Sequence, residues 1–278
     1  MNIIQLFSLL DLKRDQILEF GSADYIRIEK NINFERKINS EIDSNTSGNL
    51  ILALKEYKEE LLFVISNRIL FNFFTNNNRI ENHFQDDNLN VSEEKMKHFI
   101  SLFLADDLIS FFSQKLSKGW YHYLEELDLL VKFKRYFPEE INYKMSSLIF
   151  SKLDFAIYKL SVLENNKVSD IAYIKHRTFY ELLSHFASIE LDQKITNLLS
   201  LVIDFYKKKT NIVFWNSVIK SMAFYTAFDD SINEILFKNS DAVSITGKYF
   251  SNADRSPAMR VLIAAICVII PFLVTKCS

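Results

Sequence analysis

Leu50, Leu54, Tyr57, Leu61 and Val64 fall at alternating steps of four and three, the spacing that lines one face of an α-helix. The pattern runs on towards Phe74 and predicts one helix over 50–74, about 37 Å long at 1.5 Å per residue. Ile3, Leu6, Leu10 and Ile17 predict a first helix over 2–20, with Gly21 as its stop. Residues 24–43 admit two readings. Tyr25-Ile26-Arg27-Ile28 alternates like a strand, whereas Ile28, Ile32 and Ile38 suit a charged helix. Ser44 to Asn49 has the composition of a loop.

The clearest polar break is 75–90. Beyond it Asn90 as cap and Glu93 at the capping-box position open a helix that runs to about Lys118 and stops at Gly119. A helix over 120–136 follows, and Pro138 opens another that ends near Glu164. Three shorter ones are expected near 169–188, 192–208 and 212–227, with Asp192 and Asn211 capping the last two. A short helix after Asp230 and a polar, irregular stretch over 239–257 complete the folded part. No fixed-period repeat is present. The fold class predicted is all-α, an irregular multi-helix bundle or curved α-superhelix of about eight to ten helices. It forms one domain over 1–257, with a candidate seam at 75–90 and an apolar tail over 258–278.

Composition narrows the chemistry more than the architecture. Only 4 Gly and 3 Pro occur in 278 residues, and Gly21, Gly48, Gly119 and Gly247 stand far apart. No glycine-rich phosphate cradle can be assembled from them. Lys plus Arg number 33 against 35 Asp plus Glu, a net charge of −2, without the basic excess of a nucleic-acid binder. The run Lys207-Lys208-Lys209 reads as a solvated helix C-terminus favoured by the macrodipole. Two cysteines, Cys267 and Cys277, make neither a disulfide framework nor a zinc spacing. A reducing, cytoplasmic setting fits best, and no cofactor is implied.

Three sets of residues are candidates for chemistry. Asp107 falls on the stripe of Met96, Ile100, Phe103, Leu104 and Phe111 if 91–118 is one helix. A carboxylate among such side chains must be paired, hydrogen-bonded or raised in pKa. Asp106-Asp107-Leu108-Ile109-Ser110 lacks the third acid of an Asp-rich metal motif. Glu94/His98, His122/Glu126 and Glu181/His185 stand four apart, whereas di-iron bundles use Glu-x-x-His, three apart. His98, His122 and Asp107 therefore remain weak candidate metal ligands. Glu181 and His185 lie opposite the stripe of Ala172, Phe179, Leu183 and Phe186 and read as exposed helix partners. His176 borders that stripe, as a buried, satisfied imidazole or, less readily, a catalytic one.

Residues 261–274 carry no polar side chain, from Val261 through Ile269, Ile270 and Phe272, with Arg260 and Lys276 on either side. Fifteen residues between those charges span about 22 Å as a helix, short of a hydrocarbon core of about 30 Å. The segment reads as a membrane anchor with snorkelling flanks, as a buried core element, or as a tail that docks on a partner. The function expected is a helical protein-interaction or scaffold protein, cytoplasmic and membrane-tethered by its tail in the first of those readings. The alternative is an enzyme with an inter-helix pocket around Asp107, acting on a small molecule or through a metal.

Overall fold

The computed structural model describes residues 1–75, 91–117, 120–162, 168–208 and 211–252, with 245–252 described by backbone alone. Among these residues the fold is all-α, with no strand. The chain divides into two compact units, Met1–Ser146 and Ser147 onward.

The first unit begins with α1 (Ile3–Leu9). Asn2 caps it in a reciprocal box with Gln5. Asp11 then adopts the left-handed conformation, φ 48°, which Asp tolerates better than most residues. That residue ends the helix expected over 2–20, and Arg14–Glu19 continues as a 3-10 turn. α2 (Ser22–Ile38) settles the ambiguity at 24–43 in favour of helix, because Ile28 and Ile32 point inward together. α3 (Ser44–Glu56) includes the segment expected to be a loop. Asp43 explains this, since its carboxylate accepts the Thr46 N–H at 2.7 Å. The same bond holds its carboxyl below the usual range.

The single long helix expected over 50–74 is three: the latter part of α3, then α4 (Lys58–Ser66) and α5 (Arg68–Phe74). At Tyr57 the backbone leaves the helix (φ −133°, ψ 40°). Its ring meets those of His98, Phe99 and Phe103 at 5.9, 6.0 and 5.7 Å. At Asn67 the side chain accepts from Ile69 and Leu70 N–H, both 3.1 Å, and starts a new helix. The apolar period passes through both breaks undisturbed, so period alone does not reveal them.

The helix expected over 91–118 likewise divides into α6 (Glu93–Phe103) and α7 (Ala105–Lys115), with Leu104 between them at φ −134°. The cap position of α6 is Ser92 rather than Asn90. α8 (Leu124–Val131) lies between the 3-10 turns Trp120–Tyr123 and Lys134–Tyr136. α9 (Glu139–Val162) opens just after Pro138 and carries the chain into the second unit.

There the chain makes a 3-10 stretch (Val168–Lys175), α10 (Arg177–Ser184), α11 (Ile189–Lys207), α12 (Ile212–Met222) and α13 (Asp230–Asn252). α12 packs on both α11 and α13. Trp215 stacks on Phe205 at 5.1 Å, and the fully buried Phe179 and Tyr180 fill the adjoining core. Ser188 rather than Asp192 caps α11. Asn211 does precede α12, but in the left-handed conformation and without a side-chain cap bond. Residues 239–252 are helical where an irregular stretch was expected, and Leu236 and Val243 bury themselves along that helix. Lys207 meets Asp204 at 3.8 Å and Lys208 lies over the Phe205 ring, as suits a helix C-terminus.

Arg260, Val261, Ile269, Ile270, Phe272 and Lys276 lie outside the described residues, as does nearly all of the candidate seam at 75–90. Among the described residues no helix is long and apolar enough to cross a membrane.

Candidate functional site

Asn2 is the pivot of the region around Asp107. Its side-chain oxygen accepts from Ile4 and Gln5 N–H at 3.0 Å each, and its amide donates to Phe74 O at 2.9 Å and Asp107 Oδ1 at 3.1 Å. Both hydrogens and both lone pairs of that amide are used. The bond to Asp107 therefore joins the first turn of α7 to the start of α1 and the end of α5.

Asp107 is half-buried, and burial pushes its carboxyl up from the ordinary 3.8; neighbouring Asp106 adds to this, while the Asn2 bond and the Met1 ammonium oppose it. The break at Leu104 re-aims the residue. Leu108 and Phe112 are the side chains that α7 buries, and Asp107 faces the rim beside them.

That rim bounds a cleft of about 470 Å³ whose polar walls include Asn2, Thr46, Asn49, Ser101, Asp106 and Asp107. Thr46 is engaged, donating to Met1 O at 2.9 Å. Among the described residues no His, Cys, Lys or Arg side chain lines the cleft. The described lining offers hydrogen-bond donors and acceptors and two adjacent carboxyls. The arrangement closes a helix junction, with Asp107 as a structural acceptor.

The histidines stand elsewhere. His98 is exposed on α6, 5.9 Å from the Tyr57 ring, beside a shallow depression of about 350 Å³ edged by Glu56, Glu94 and Lys95. His122 is exposed in a 3-10 turn with its ring 4.2 Å from that of Tyr121. His176, expected along an apolar stripe, is exposed at the cap position of α10 in the second unit. The chain turns there, before the helix and its stripe begin. Glu181 pairs with Arg177 at 2.7 Å. Among the described residues no three His, Cys, Asp or Glu side chains gather as a metal site would require.

Sequence reasoning missed two buried carboxylates among the described residues, Glu60 and Asp192, each only 2% exposed, and the bonds of Asp192 are the more extensive. Oδ1 accepts from the Tyr225 hydroxyl at 2.7 Å and Phe228 N–H at 3.2 Å, and Oδ2 accepts from Asp229 N–H at 2.8 Å. Thr226 N–H meanwhile donates to Ser184 Oγ at 2.8 Å, and Ala227 N–H to Asn233 Oδ1 at 2.7 Å. Side chains thus bind four successive amides of the α12–α13 connection. Burial, with the bond to Asp192, keeps the Tyr225 hydroxyl protonated far above its usual range. One signal was available: once α11 starts at Ile189, Asp192 shares a face with Ile195 and Leu199.

A pH measurement separates the two roles for Asp107. A carboxyl that holds its proton more tightly folded than unfolded stabilises the fold while protonated. That contribution is lost as pH rises from 3.8 through the raised folded value. Asp107→Asn keeps an acceptor for Asn2 and should be at least as stable as wild type near neutral pH, with a flatter acid profile. Urea titrations across that range check it, and marked destabilisation by Asn would contradict the assignment.

Compared with models of known families, with curated proteins and with solved structures, the chain matches none.

Proposed function

We propose that the protein is a helical scaffold that binds other proteins. The observation that carries this reading is the outward face of the second half of α9. Phe155, Tyr158 and Val162 share that face and are 41%, 62% and 53% exposed, opposite the buried Leu153, Ala156 and Leu160. Aromatic side chains held outward on a regular helix are what protein interfaces enrich and what anchors binding energy. Lys159 lies over the Phe155 ring at 5.4 Å and pairs with Asp170 at 3.4 Å, which steadies the face in solution. In this reading the protein faces the cytoplasm, and the apolar segment 261–274 supplies a membrane tether. The alternative, a small-molecule enzyme, has the Asp107 cleft in its favour, where no histidine stands among the described lining residues.

The test replaces Phe155, Tyr158 and Val162 together by Ser in the full chain and compares cross-linked partners with those of wild type. Loss of an interface anchor worth about 2 kcal/mol lowers recovery about thirtyfold, with helicity unchanged. The same partners at the same yield would remove the reading.

A further inference from the structure

The α2 helix carries a second unpartnered face of a different kind. Its inward side is occupied: Ile28 and Ile32 are buried, Tyr25 donates to Leu54 O at 3.2 Å, and Glu29 pairs with Lys55 at 3.8 Å. On the opposite side, the helical period brings Ile26, Arg27, Lys30, Phe34, Lys37 and Ile38 to one face. Ile26, Phe34 and Ile38 are 55%, 61% and 69% exposed. No acid shares this face; Asp24, Glu29 and Glu35 lie around its edges or behind it. Arg27 is tied to Asp24 at 3.1 Å, whereas Lys30 and Lys37 make no ion pair among the described residues.

We infer that this face of α2 docks on an anionic lipid surface. Its charge decides against a second copy of the chain, because two such faces would bring Lys30 and Lys37 against like charges. Its layout decides against an acidic partner helix. A helix–helix seam needs adjoining apolar side chains with charges at the flanks, but here the cations stand between the apolar residues. A bilayer suits that layout: phosphates meet the lysines on their flexible stems while the boundary below accepts Ile26, Phe34 and Ile38. The inference does not depend on the scaffold reading.

Sedimentation of the full chain with vesicles tests it, comparing pure phosphatidylcholine with a mixture holding about 30% phosphatidylserine. Wild type should favour the anionic vesicles, and raising salt from about 0.1 M to about 0.5 M should release that excess. Each cation near such a surface contributes about fivefold in partitioning, so Lys30→Gln with Lys37→Gln should lower anionic binding about thirtyfold. Phe34→Ser should weaken it at both salt concentrations. These positions are exposed, and circular dichroism verifies that the variants fold. Equal binding of wild type and the double variant to anionic vesicles would overturn the inference, as would equal wild-type binding to both kinds of vesicle. Capture of an acidic protein by this face without vesicle binding would overturn it too.

Discussion

Asp192→Ala should lower the unfolding free energy by about 3–5 kcal/mol, read as an earlier midpoint in urea. The substitution leaves the Tyr225 hydroxyl and the Phe228 and Asp229 amides without their acceptor, in a place the carboxylate now fills. Hydrogen bonds to a charged group contribute about 1.5–3 kcal/mol each, and a buried donor left unmade costs about 1–3 kcal/mol. With total stability of about 5–15 kcal/mol for an ordinary domain, one residue then commands a large share. Asp192→Asn separates charge from shape: it keeps one acceptor oxygen but places an NH₂ where the other stands, and should fall between wild type and Ala. Tyr225→Phe deletes one donor and should cost about 1–2 kcal/mol. Should Asp192→Ala match wild type, the carboxylate does not hold the α12–α13 connection.

The second large effect is at Trp215, where Ala should cost about 3–5 kcal/mol. The indole is 1% exposed, stacks on Phe205 at 5.1 Å and meets Phe214 edge-on at 4.8 Å. Deleting it removes both contacts and opens a cavity between α11 and α12. Trp215→Phe should cost less than the lost volume suggests, because Nε1 is buried without a hydrogen-bond partner among the described residues. Phe retains most of the stacking and removes that donor. Denaturation followed by circular dichroism measures both variants. A Phe variant as unstable as the Ala variant would show that the indole N–H contributes favourably.

The all-helical class was legible because helical apolar spacing recurs through nearly every segment. Helix ends were not. Asp43 captures the Thr46 amide and converts a loop-like composition into the first turn of α3. Tyr57 leaves the helical conformation while its ring packs on α6, a contact distant in sequence that no local window contains. Those ends also decide the site. Asp107 belongs to an apolar stripe only if 91–118 is one helix; the break at Leu104 turns it to a rim, where Asn2, 105 residues away in sequence, meets it. His176 and Asp192 exchanged places for the same reason. A helix beginning at Arg177 leaves the imidazole outside, and one beginning at Ile189 draws the carboxylate in.

The interruptions at Tyr57, Asn67 and Leu104 have a bearing on how the first unit comes apart. They leave segments of 9, 7, 11 and 11 residues in α4 to α7, each below the roughly 12–15 residues at which a lone helix becomes even marginal in water. None of these coils outlives its neighbours. Heat or denaturant should therefore dissolve them in one concerted event, with ellipticity and aromatic fluorescence changing along the same curve.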